Sequence, residues 1–127
     1  MNEQQPKLLL VEDDPFMASL MDEAFAKEGF KVILAGDGEA AIQMFEREHP
    51  DCAILDIILP KKNGIEALRE IRKLPRGEQM PVIVLSNIED ASFVAEAEEL
   101  GVKGYLVKAN VQIPEVVERM KQILGGS

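Results

Sequence analysis

Five short runs of consecutive apolar residues recur along the chain, and longer segments with the periodicity of amphipathic helices separate them. The runs cover residues 8–11, 32–35, 52–55, 82–85 and 104–107. The separating segments cover residues 16–25, 38–48, 64–74, 90–100 and about 114–124. Short, continuously apolar runs are typical of strands buried on both faces. Their strict alternation with helices predicts an open parallel sheet with helices packed on both sides, a doubly wound α/β fold.

The length and charge of the chain restrict its class. Its 127 residues suit one domain, since folded domains most often have about 100–150 residues. We expect a single domain over residues 1–127, with a core at about 7–124 and a flexible tail at 125–127. The net charge is −9, from 23 acidic and 14 basic side chains. Such a surface disfavours direct contact with nucleic acid or an anionic membrane.

The cysteine content and the N-terminal segment indicate the compartment. The single cysteine, Cys52, cannot form an internal disulfide, and one thiol does not make a zinc site. The N-terminus lacks a basic region followed by a long apolar stretch, which is the pattern of a signal peptide. No run approaches the roughly 20 apolar residues of a membrane-spanning helix. We therefore expect a cytoplasmic protein.

Polar residues follow four of the five predicted strands. They are Glu12, Asp13 and Asp14 after the first strand, Asp56 after the third, Ser86 after the fourth and Lys108 after the fifth. In an open parallel sheet, ligands bind beyond the carboxyl ends of the strands. We therefore expect carboxylates, a hydroxyl and an amine to surround one crevice.

The chemistry of that crevice suits phosphoryl transfer. Carboxylates that converge at short range repel one another, and a hard divalent cation such as Mg²⁺ relieves the repulsion. One carboxylate can attack a phosphoryl donor as a nucleophile. The metal and the lysine would then neutralise the transferred oxygens, while the serine hydroxyl donates a hydrogen bond to one of them. The set has the parts that formation of an acyl phosphate requires.

Four segments together resemble the response-regulator receiver family of two-component signalling. They are residues 8–14 (LLLVEDD), 53–64 (AILDIILPKKNG), 84–86 (VLS) and 104–108 (GYLVK). They occur in the order of the family, each at a predicted strand end, and the resemblance spans residues 7–124. It implies a flavodoxin-like (βα)5 fold with five parallel strands in the order 2-1-3-4-5.

The resemblance also implies a phosphorylation site and a metal site. Asp56 would accept the phosphoryl group. Asp14 would ligate Mg²⁺ directly, and Asp13 would act largely through water. Asp56 and the main-chain carbonyl of Ile58 would complete the protein ligands, with Mn²⁺ a possible substitute for Mg²⁺.

Three further residues match the switch of the family. Ser86 would move to bond the phosphoryl group, Lys108 would pair with it, and Tyr105 would swing inward as Ser86 moves. Phosphate would thereby alter the surface formed by the fourth helix, the fifth strand and the fifth helix.

The expected partners follow from the same resemblance. A histidine kinase or a histidine phosphotransfer protein would donate the phosphoryl group. A downstream protein or a fused output domain would receive the signal, and the switch surface could form a homodimer. The protein would not be an enzyme in the usual sense, because it assists only its own phosphorylation and dephosphorylation.

The sequence departs from the family pattern at three places. Ala109 stands where the family usually has a proline in a cis peptide; a cis bond before alanine costs about 2.5–4 kcal/mol, so we predict a trans Lys108–Ala109 bond. Asn87 is bulkier than the usual alanine or glycine. Ile58 and Ile88 are apolar at positions that influence access of water, so we expect a long-lived phosphate.

Three other functions compete with this assignment. Haloacid-dehalogenase-type phosphatases need Asp-x-Asp after the first strand, and Toprim-type nucleases need Asp-x-Asp at a later strand. Residues 12–15 (EDDP) fail the first test and residues 56–58 (DII) fail the second. A degenerate receiver that binds partners without phosphate remains as the alternative.

Overall fold

A computed structural model describes residues 5–125 as five strands, five α-helices and one 3₁₀ turn. The strands are β1 (Lys7–Val11), β2 (Lys31–Ala35), β3 (Cys52–Leu55), β4 (Val82–Ser86) and β5 (Gly104–Val107). The helices are α1 (Pro15–Lys27), α2 (Gly38–Glu48), α3 (Gly64–Arg72), α4 (Ala91–Glu99) and α5 (Ile113–Gly125). The 3₁₀ turn, Lys108–Asn110, joins β5 to the segment before α5 and was not predicted.

The strands form one parallel sheet in the order β2-β1-β3-β4-β5. This confirms the predicted fold and strand order. The three inner strands, β1, β3 and β4, are almost entirely buried, whereas the edge strands β2 and β5 are partly exposed. Continuous apolar runs therefore arise where helices cover both faces of a strand.

The core divides between the two faces of the sheet. On one face, α1 and α5 pack through Met21, Phe25 and Met120. On the other face, α2 and α3 pack through Phe45 and Leu68. The rings of Phe25 and Phe30 pack edge to face, with their centroids 5.0 Å apart. Helices thus cover both faces of the central strands, and the carboxyl ends of these strands lie at one edge of the sheet.

The predicted boundaries hold to within a few residues. The 52–55 and 104–107 strands and the 38–48 helix match β3, β5 and α2. Of the predicted flexible tail, Gly125 is the last residue of α5, and residues 126–127 lie outside the described residues. Within residues 5–125, no helix is long and apolar enough to cross a membrane.

Gly64 fixes the path of the loop that follows the predicted phosphoacceptor. The loop from β3 ends at Asn63, whose side chain forms a reciprocal capping box with Glu66 at the start of α3. The Gly64 N–H donates to the Ile57 carbonyl at 2.8 Å. A Cβ at residue 64 would overlap the main-chain carbonyl oxygen of Asp56. The helix start therefore packs against the backbone of Asp56 itself.

We expect Gly64→Ala to lower the free energy of unfolding by about 1–3 kcal/mol, the usual range for overpacking a closed site. Alanine normally favours a helix over glycine, so helix propensity alone would change the stability in the opposite direction. Gly36→Ala is the matched control, because a Cβ there meets no atom within 4 Å. Urea unfolding of both variants checks the prediction, and equal stabilities would contradict it.

Candidate functional site

The register of the central strands brings Glu12 and Asp56 together. Val11 and Leu55 are paired in β1 and β3, so the next residue of each strand emerges at the same edge of the sheet. The Asp56 N–H donates to the Val11 carbonyl at 3.1 Å. Both carboxylates are buried, with Asp56 only 7% exposed. The sheet itself therefore sets the distance between these two acids.

Lys108 lies between the same two carboxylates. Its Nζ is 2.6 Å from Oδ2 of Asp56 and 2.9 Å from Oε1 of Glu12. The other oxygen of Asp56, Oδ1, accepts a hydrogen bond from the Ile57 N–H at 2.7 Å. Both oxygens of Asp56 are thus held by donors, and its orientation is fixed by a main-chain group and an ammonium.

Burial and charge act against each other in this ion-paired group. Burial raises the pKa of Glu12, and the bonds to Lys108 and the Asp14 N–H only partly oppose that rise. Burial lowers the pKa of Lys108, but the hydrogen bonds that it donates to Asp56 and Glu12, together with the negative charges of these acids, outweigh burial and raise the pKa. The two carboxylates therefore favour the charged form of the lysine.

Three carboxylates form a cluster that could hold a metal ion. One oxygen from each of Glu12, Asp13 and Asp56 lies within 4.8 Å of the others. Hard oxygen ligands at this spacing suit Mg²⁺, which commonly binds through one or two carboxylates and retains several waters. Asp13 is exposed, so the cluster opens to solvent on its side. The donor set therefore fits the expected cofactor.

Asp14 lies outside this cluster, which differs from its expected place as a direct ligand. Its side chain is turned towards α1, where Oδ1 accepts from the Phe16 N–H at 3.0 Å. Pro15 at the first helical position leaves Asp14 as the N-cap, and capping occupies its carboxylate. Glu12, which was expected at the crevice but not among the metal ligands, belongs to the cluster instead. The Asp14-Pro15 capping pattern was the signal that separates these two acids.

Ser86 and Tyr105 meet at one residue of the loop after β4. Ser86 is 1% exposed, and its Oγ accepts from the Ile88 N–H at 3.4 Å. The Tyr105 hydroxyl donates to the Ile88 carbonyl at 2.5 Å. Burial, aided by the charge of Asp56 and of acids near the start of α4, raises the pKa of Tyr105. The two predicted switch residues are therefore linked through the main chain of Ile88.

The chain after Lys108 takes the predicted trans form. Residues 5–125 contain no cis peptide bond, which confirms the expectation for Lys108–Ala109. Lys108 starts the 3₁₀ turn, and the Ala109 N–H donates to Oδ1 of Asn87 at 2.9 Å.

Ile58, whose carbonyl was expected to bind metal, follows Asp56 by two residues and is 56% exposed. Its carbonyl as a ligand stays a prediction.

The sequence as a whole matches one protein family. The model of the family described as the response regulator receiver domain matches residues 8–121. The chain belongs to this family. Members of the family are phosphorylation-dependent switches, and the acidic cluster of this receiver domain, Glu12, Asp13 and Asp56, lies at the carboxyl edge of the sheet.

Two bacterial regulatory proteins are similar in sequence to this chain. The receiver domain is 39% identical over 102 residues to the Regulator of RpoS of Escherichia coli K12. The aligned residues cover 80% of this chain and 30% of that protein. It is also 39% identical over 118 residues to the transcriptional regulatory protein CpxR of the same organism. That alignment covers 93% of this chain and 49% of CpxR. The chain therefore spans a third to a half of these relatives.

A solved structure also has this fold. The receiver domain of the sensor histidine kinase PA1611 from Pseudomonas aeruginosa is 28% identical, with a TM-score of 0.86, and covers 97% of this chain and 100% of that one. That crystal structure contains a magnesium ion coordinated in its active-site cleft. A receiver of the same fold thus binds the cation that the donor set here suits.

We expect Mg²⁺ to stabilise this receiver domain against heat through Asp13. At about ten times the Kd, bound metal would add about 1.4 kcal/mol, a rise of several degrees in Tm. Asp13→Asn should lose most of this rise. Asp14→Asn is the matched control, because asparagine also caps helices and residue 14 lies outside the cluster. Thermal unfolding with and without Mg²⁺ checks this, and loss of the rise in Asp14→Asn alone would contradict it.

Proposed function

We propose that this receiver domain accepts a phosphoryl group on Asp56 from the phosphohistidine of a histidine kinase or a histidine phosphotransfer protein. The observation that carries the proposal is the buried Asp56 carboxylate, held at 2.6 Å by the Lys108 ammonium within a cluster of acids. The sheet register accounts for the proximity of Asp56 to Glu12, and the Lys108 ammonium adds the positive charge that a phosphoryl group on Asp56 requires.

The transfer exchanges one bond to phosphorus for another. A carboxylate oxygen of Asp56 forms a bond to phosphorus, the bond from phosphorus to the donor nitrogen breaks, and the donor imidazole leaves with its electron pair. The product is an acyl phosphate on Asp56. Mg²⁺, held by Glu12, Asp13, Asp56 and the Ile58 carbonyl, would supply positive charge to the transferred oxygens. Mn²⁺ would suit the same oxygen ligands.

Lys108 and Ser86 contribute from this chain. The Lys108 ammonium already contacts Asp56 and can pair with a phosphoryl oxygen without a large movement of its stem. The Ser86 hydroxyl can donate to a second oxygen once it turns away from the Ile88 N–H. Both groups compensate the charge that Asp56 gains.

The same turn of Ser86 provides the switch. When its Oγ leaves the Ile88 N–H, the loop before α4 would lose one hydrogen bond to the main chain of Ile88, and Tyr105, which donates to the Ile88 carbonyl, would swing inward. Two arrangements of this loop would then be in equilibrium, and phosphate would favour one. The surface of α4, β5 and α5 would carry the change to a downstream protein, a fused output domain or a second copy.

We expect incubation with Mg²⁺ and acetyl phosphate or phosphoramidate to give one phosphoryl adduct by intact mass. The adduct should disappear in Asp56→Asn, because an amide is a poor nucleophile, and should persist in the capping variant Asp14→Asn. An adduct that survives Asp56→Asn would contradict the proposal. No adduct with any donor would favour a degenerate receiver.

We also expect the acyl phosphate to be long-lived because Ile58 and Ile88 cannot orient an attacking water. Ile58→Asn places an amide at that exposed position and should speed the loss of phosphate about threefold to tenfold, as one hydrogen bond to the water can contribute. Leu20→Asn is the control, since Leu20 is also an exposed apolar residue but lies on α1. The decay of the adduct, followed by mass, tests this. Fast decay that Ile58→Asn leaves unchanged would contradict it.

A further inference from the structure

The 3₁₀ turn that begins at Lys108 lacks a cap from its own sequence. The first N–H groups of any helical turn have no acceptor within the turn, and a side chain at the N-cap usually provides one. The N-cap here is Val107, which has no side-chain acceptor, and the turn has no cap hydrogen bond of its own. The acceptor for these N–H groups is therefore either water or a group from elsewhere in the fold.

Asn87 provides this acceptor from the neighbouring loop. Its Oδ1 accepts from the Ala109 N–H at 2.9 Å across 22 residues of sequence. The contact requires a main-chain N–H at residue 109, which alanine has and a proline would lack. The hydrogen bond thus depends both on the Asn87 side chain and on a residue other than proline at position 109.

This hydrogen bond joins the residues that adjoin the reacting groups. Asn87 directly follows Ser86, and Ala109 directly follows Lys108. Strands β4 and β5 end side by side, with Ser86 paired to Val107. The Tyr105 hydroxyl ties β5 to the same loop at Ile88. The main chain at Lys108 is therefore held between two ties to the loop after β4.

We propose that Asn87 is a positioning residue for Lys108, acting through the Ala109 N–H. The inference rests on the proposed function, in which the Lys108 ammonium pairs with the phosphoryl group on Asp56. The lysine stem is flexible, so its reach depends on where its main chain is fixed. Displacement of such a group by about 1 Å can slow a reaction by up to a hundredfold. The same tie makes the position of Lys108 depend on the loop that Ser86 moves.

The test compares the rate of phosphorylation by phosphoramidate, with saturating Mg²⁺, in the unaltered protein and in Asn87→Ala. We expect a decrease of about threefold to tenfold, the range for loss of one hydrogen bond. Asn110→Ala, in the same turn and exposed, is the matched control and should keep the normal rate. In an Ala109→Pro background, where the donor is absent, Asn87→Ala should cause no further change.

Two nuclear magnetic resonance measurements separate positioning from simple stability. In Asn87→Ala the Ala109 amide should exchange faster with water, and the nitrogen-15 signal of the Lys108 ammonium should shift or broaden, while the spectrum of the core stays unchanged. Faster exchange at Ala109 with an unaltered Lys108 signal and a normal rate would overturn the inference, as would additive effects in the double variant.

A failure of the proposed function gives a different result. If the unaltered protein takes no phosphoryl group from any donor, the function is wrong. The response of the Lys108 signal to Asn87→Ala then still decides whether Asn87 positions the lysine.

Discussion

The ion pair between Lys108 and the buried carboxylates at the edge of the sheet is the interaction on which the site depends. Parallel strands end at one edge, so Glu12 and Asp56 are brought together whatever their mutual repulsion. The Lys108 ammonium contacts both, at 2.6 and 2.9 Å. A buried carboxylate without such a partner would be strongly destabilising. The lysine therefore offsets the charge of the two buried acids, whereas Asp13 is exposed to solvent.

Much of the fold followed from the sequence because its signals are local and periodic. Apolar runs bounded by polar residues predicted β3 and β5, and helical spacing predicted α2. The strand order came from the family resemblance and not from spacing. The assignment of Asp14 as a metal ligand does not agree with its placement. Three consecutive acids follow β1, and the apolar pattern does not say which of them point into the crevice. The cap on α1 decides this.

The hydrogen bonds of the loop after β4 could not be predicted from the sequence, because most of them join distant parts of the chain. The Asn87–Ala109 hydrogen bond depends on how two loops pass each other, and Asn87 was notable only as an unusual residue. The link from Ser86 and Tyr105 to the main chain of Ile88 likewise needed coordinates. Together these contacts join the loop after β4 to Tyr105 and to the main chain next to Lys108, so the proposed chemistry at Asp56 and the proposed movement at α4 would involve the same loop.

The account predicts an acyl phosphate at one residue, and chemical trapping locates it directly. The protein would be treated with Mg²⁺ and phosphoramidate, reduced with borohydride and digested for peptide mass spectrometry. Borohydride converts an aspartyl phosphate to homoserine, so homoserine should be found at residue 56 alone. Homoserine at residue 13 or 14, or a phosphorylated peptide that resists reduction, would contradict the central claim that Asp56 is the phosphoacceptor.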